Sequence, residues 1–116
     1  MNKIVVENAL PGSPLGDWDI PPADWGSTVI EGFATRVSVN LGETIEFKVR
    51  TSSTAYHIDI YRLGWYGGAG ARKVATLLPS VPLPQAQPNP VVEPSTGLVE
   101  CSAWCWARIS STSFIR

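Results

Sequence analysis

The chain has 116 residues, 44% hydrophobic and 16% charged, with nine Lys+Arg against ten Asp+Glu for a formal net charge of −1. That length is one domain's worth, able to bury about 65% of its unfolded surface, and the charge balance argues against an electrostatic nucleic-acid partner. No apolar run reaches the roughly 18–20 residues needed to span a bilayer, and ten prolines with ten glycines favour short strands and turns over long helices.

In chain order, Met1 to Asn8 has one lysine and an apolar stretch broken by Glu7, which does not make a signal peptide. Lys3 to Val6 reads as a strand. Residues 9–26 hold four prolines, three glycines, Trp18 and Trp25, and read as irregular, with the two tryptophans packed beneath this segment. Thr28 to Phe33 reads as a strand. Arg36–Asn40 alternates through Val37 and Val39, a turn follows at Asn40–Glu43, and Thr44–Thr51 gives the clearest strand. There Ile45, Phe47 and Val49 form the buried face and Glu46, Lys48 and Arg50 the wet one.

Ala55–Leu63 places Tyr56, Ile58 and Ile60 on one face and His57, Asp59 and Tyr61 on the other. The glycine-rich Gly64–Gly70 interrupts, and Ala71–Leu78 resumes in extended form, a hairpin with a bulge. Residues 79–97 hold six prolines, too many for a regular element, and read as a long inter-strand crossover. Leu98 to Trp106 reads as a last strand. No internal repeat is visible.

The segments Ile30–Val49 and Tyr56–Arg72 carry a resemblance. Glu31-Gly-Phe-Ala-Thr-Arg-Val-Ser-Val-Asn-Leu-Gly42 and Asp59-Ile-Tyr-Arg-Leu-Gly-Trp-Tyr-Gly-Gly-Ala-Gly-Ala-Arg72 resemble the N-terminal module of large bacterial proteins related to the N,N-dimethylformamidase large subunit. The likeness runs over roughly residues 7 to 101. It implies an all-β fold, an immunoglobulin-like β-sandwich of about seven short strands. In that family a larger domain carries the metal-dependent hydrolase chemistry, and no residue here corresponds to its catalytic set. The tail, residues 107–116, departs from the family pattern. A truncated, a frame-shifted and a fragment end all fit that departure, and each leaves a sandwich short of its last strand. The chain as a whole, 1–116, reads as one domain.

Candidate chemistry is sparse. The Gly64–Gly70 loop lacks the helix and the Lys-Ser/Thr that a phosphate cradle requires, so it reads as a turn with glycines at positive φ. Asp59, Arg62 and Arg72, with Gly64, Gly67, Gly68 and Gly70, read as a structural motif in which an ion pair brackets that loop. His57 has no nucleophile placed beside it, and Asp59 has no second acid; no catalytic residue is assigned. Cys101 and Cys105 would lie about 13 Å apart on a strand, too far for a disulfide. Two thiols do not make a four-cysteine zinc site. Neither a metal nor a cofactor is expected.

The loop aromatics Trp65 and Tyr66, with Arg62 and Asp59, form the candidate ligand site, since a sugar ring suits an aromatic face. Trp104 and Trp106 add to the aromatic set. The expected function is a non-catalytic accessory or spacer module of a larger secreted or surface protein, self-associating through an exposed or swapped strand. Its alternatives in partner are a neighbouring domain or a glycan.

Overall fold

The computed structural model describes residues 1–104. The order of elements is α1 (Lys3–Asn8), β1 (Ile30–Ala34), β2 (Phe47–Thr51), β3 (Ile58–Leu63), β4 (Ala71–Leu77), β5 (Val91–Val92) and β6 (Val99–Glu100), with short 3-10 turns at Leu15–Asp17, Pro22–Asp24 and Tyr66–Gly68. The regular structure of the described residues is thus mostly strand, with little helix. Among the described residues the strands pair as three two-stranded antiparallel sheets, β1–β2, β3–β4 and β5–β6. None of the described helices is long and apolar enough to cross a membrane.

The chain divides into two compact units. The first joins Met1–Gly26 to His57–Leu78, and the second joins Ser27–Tyr56 to the described residues from Pro79 on.

In the second unit, β1 and β2 pair from Ile30↔Thr51 to Ala34↔Phe47. The alternation read from the sequence holds in part: Val49 and Thr51 are buried, but Phe47 is half-buried like Lys48 and Arg50 beside it, and the strand begins at Phe47, not at Thr44. Gly32 is required at its position, because a Cβ there would lie 2.9 Å from the Lys48 carbonyl oxygen. Thr35 extends the pairing by donating to the Glu46 carbonyl at 2.8 Å, after which the chain turns out.

Arg36–Asn40 is therefore not a strand, although its valines alternate. Val37 is fully exposed, and the Asn40 N–H is committed to a turn, donating to the Glu43 carboxylate at 2.8 Å. The crossover, expected to lack any regular element, contains β5 and a bridge in which Thr51 and Gln85 exchange backbone hydrogen bonds of 3.0 and 3.1 Å. The Tyr56 hydroxyl also donates to Gln85 Oε1 at 3.2 Å. The expected last strand is reduced to Val99–Glu100, followed by a turn closed by Trp104 N–H on the Cys101 carbonyl at 3.1 Å. Trp106 and the tail 107–116 lie outside the described residues.

In the first unit, β3 and β4 form the hairpin that the sequence predicts, with a register shift between Ile60 and Tyr61 that leaves Val74 as the extra residue on β4. The N-terminal segment corrects the reading of Lys3–Val6 as strand. It is helical because Asn2 caps it, its side chain accepting from the Ile4 N–H at 2.9 Å. Extended structure would need a partner strand, and here the helix's own carbonyls take the N–H groups of Val6 and Ala9.

Candidate functional site

The loop between β3 and β4 folds into a tight coil. Gly64 N–H donates to the Gly70 carbonyl at 3.1 Å, Gly68 to Trp65 at 2.8 Å and Ala69 to Tyr66 at 3.2 Å. Gly67, Gly68 and Gly70 take φ values of 65°, 94° and 83°, and Tyr66 joins them at 42°. A non-glycine residue at positive φ is strained and must be held by its surroundings. Tyr66 is held by burial, being only 3% exposed, and by its hydroxyl, which donates to Glu7 Oε1 at 2.9 Å. The Trp18 ring covers the other end of the coil, where a Cβ on Gly70 would meet it at 3.1 Å.

Glu7 is the centre of the arrangement. Besides Tyr66, its Oε1 accepts from Arg72 Nε at 3.0 Å and from the Arg72 terminal nitrogen, and Arg62 Nε stands 3.9 Å away. The hydrogen bond from Arg72, then that from Tyr66 and the two guanidinium charges, hold the Glu7 carboxyl below its ordinary pKa against the opposing effect of burial. The same bond raises Arg72. Beside it, Asn8 Oδ1 accepts the Trp65 N–H at 2.5 Å. Ser13 N–H donates to the Ala71 carbonyl at 2.8 Å, and Ser13 Oγ accepts from Lys73 N–H at 2.9 Å.

These contacts correct the ion pair read from sequence. Asp59 and Arg62 are three residues apart on one strand and so point to opposite faces. Asp59 accepts from the Thr76 hydroxyl at 2.6 Å and from Lys73 at 3.0 Å, with His57 Nε2 3.5 Å away. The Thr76 hydrogen bond and then Lys73 hold its carboxyl below the ordinary range, and Lys73 is raised in turn. The arginines serve Glu7 instead.

The four residues of the candidate ligand site are likewise separated. Trp65 is 71% exposed and Tyr66 is buried, while Arg62 and Asp59 belong to the two different clusters. Trp65 flanks an open, mostly apolar groove of about 720 Å³, lined by Ile4, Val5, Leu10 and Pro11 from the N-terminal segment. Of the tryptophans expected beneath the proline-rich segment, Trp18 packs on Gly70 but Trp25 is exposed, its Nε1 donating to the Ile20 carbonyl at 2.8 Å. Burying Trp25 would require a second layer that this short segment does not supply.

In the second unit, Trp104 is 5% exposed. It donates to the Pro88 carbonyl at 2.8 Å, lies 5.8 Å from the Phe33 ring and carries Arg50 over its face at 5.3 Å. Cys101 is a half-buried free thiol; Cys105 lies outside the described residues. No group of three metal-ligating side chains occurs among the described residues.

Sequence reasoning missed Glu7, Asn8 and Ser13. The only signal was a carboxylate breaking an apolar stretch, and nothing local pairs it with arginines 55 and 65 positions on.

Compared with protein-family models, curated proteins and solved structures, the chain finds no significant match in any of the three.

Proposed function

We propose that the chain is a non-catalytic accessory module, an immunoglobulin-like sandwich of the kind that precedes the hydrolase domain in proteins related to the N,N-dimethylformamidase large subunit. Its work is positional, and it self-associates through strand edges. The observation that carries this reading is the use made of the polar side chains around the glycine loop. Glu7, Arg72 and Tyr66 bind one another, and Asp59 binds Lys73 and Thr76; the groups that chemistry would need are engaged in holding the loop. Self-association is supported by the two-stranded sheets of the described residues, whose outer edges are only partly taken, by Gln85 on β2 and by Ser13 on β4.

Trp65 favours a second reading. An exposed indole beside an apolar groove suits the face of a sugar ring.

Light scattering after size exclusion, with and without reductant, combined with tryptophan fluorescence across a glycan panel, separates the two. The accessory module gives a reductant-insensitive oligomer and no glycan response. A saturable fluorescence shift that disappears in Trp65→Ala would establish the glycan site instead. A strict monomer at high micromolar concentration removes self-association from the proposal.

A further inference from the structure

Residues 1–13 meet the rest of their unit through a set of polar groups and through the close approach of Gly12 to Ala69 and Tyr66. The helix α1 buries no residue, and Ile4, Val5 and Val6 remain exposed. A helix of six residues has no stability of its own in water. What holds this segment is Glu7 on Arg72 and Tyr66, Asn8 on the Trp65 N–H, and Ser13 on Ala71 and Lys73. Every one of those receiving groups lies on β3, β4 or the loop that joins them.

The receiving side has a feature that calls for an anion. Arg62 and Arg72 stand directly opposite each other in the hairpin register. Like charges so placed repel, and the carboxylate that relieves them comes from a distant segment of the chain. The third donor, the Tyr66 hydroxyl, sits on the coiled loop, at a residue that Gly12 of the same N-terminal segment approaches closely. Two guanidinium groups and a phenol converging on one oxygen form a site for a carboxylate, and such charge-assisted hydrogen bonds are the strong ones.

We propose that Arg62, Arg72 and the Tyr66 hydroxyl are a carboxylate receptor, that residues 1–13 are its intramolecular ligand, and that a glutamate-bearing peptide in trans takes the receptor when this strap lifts. The occupant in the structure defines the ligand chemistry: a side-chain carboxylate on Oε1, followed by an amide oxygen that accepts the Trp65 N–H. Tethering gives the strap the advantage of a high local concentration, so the receptor opens to a second peptide only when the strap loses its carboxylate. This inference does not rest on the self-association proposed above.

The test uses the full chain carrying Glu7→Gln, probed with a fluorescein-labelled peptide of residues 1–13. Hydrogen exchange at Val6, Ala9, Leu10, Ser13 and Trp65 should quicken by about tenfold or more, the scale of losing a charge-assisted hydrogen bond, while β3–β4 amides keep their protection. The peptide should bind the Glu7→Gln chain about tenfold or more tightly than the unaltered chain. Binding should vanish when Arg72→Gln is added to the chain, or when the peptide itself carries Glu7→Gln. Unchanged strap exchange overturns the proposal, as does equal peptide binding to both chains. So does joint opening of strap and hairpin, or failure of the Glu7→Gln chain to fold, since either makes Glu7 a fixed brace and not a releasable ligand.

Discussion

A Cβ on Gly12 would collide with the side-chain Cβ of Ala69 and stand 2.9 Å from that of Tyr66, whereas one on Gly16 would meet nothing within 4 Å. The first position is where the strap passes over the coiled loop, and the second lies in an open turn. Gly12→Ala should therefore destabilise by about 1–3 kcal/mol through overpacking. Gly16→Ala, free of positive φ, should stabilise by about 0.4–1 kcal/mol by restricting the unfolded chain. Urea midpoints of opposite shift check the pair. The charge of Glu7 makes a prediction of its own. Arg62 on β3, Arg72 on β4 and Tyr66 in the loop face its carboxyl, and its pKa lies below the ordinary 4.5, so the proton binds more readily once the strap is free. Docking is then fully supported above 4.5 and is lost as pH falls through the lowered value. Hydrogen exchange of the Ala9 and Leu10 amides, followed downward from pH 6, should show protection falling in that window. In Glu7→Gln this pH-dependent component should be missing. Neither effect could be read from the sequence, because Gly12 and Glu7 owe their roles to residues more than 50 positions away.

The elements were legible where their signal was local. Strand β2 and the β3–β4 hairpin appear within the runs that alternation and the glycine cluster mark, though β2 begins at Phe47 and β3 at Ile58, later than the runs Thr44–Thr51 and Ala55–Leu63. Two short apolar runs were misread for one reason. Lys3–Val6 and Arg36–Asn40 are each too short for periodicity to decide; the outcome turns on a cap in the first and on the absence of a ladder partner in the second. The Gly64–Gly70 turn was legible as a turn, but the positive φ of Tyr66 was not, since it depends on burial against a segment remote in sequence. Trp104 shows how the second unit compensates for such short strands. It brings together Phe33 of β1, Arg50 of β2 and the Pro88 carbonyl of the crossover. Removing it should cost about 3–5 kcal/mol, the scale of a buried Trp→Ala change. In Trp104→Ala, exchange should accelerate at the β1–β2 amides, while the β3–β4 amides, which belong to the other unit and are held by their own hairpin, should change little.

At the scale of the whole molecule, a strand-rich chain with little helix was legible from composition and alternation, whereas the partition into two units was not. Each unit takes one piece of chain from either side of an intervening segment, and nothing in a linear pattern marks which distant pieces meet. Among the described residues the strands form three sheets of only two strands each. A lone hairpin is marginal in water, and Val91, Val92, Leu98 and Val99 are all more than half exposed around β5–β6. The self-association proposed above would use this exposed apolar hairpin, whose strand edges can take a second copy. Val91→Lys tests this without breaking the hairpin, because position 91 lies directly opposite Glu100 and the new charge finds a cross-strand partner. Light scattering should show the unaltered chain gaining mass with concentration and Val91→Lys shifted toward monomer. An equal mass gain in both chains moves the proposed contact to β1–β2 or β3–β4, and no gain in the unaltered chain removes self-association from the proposal.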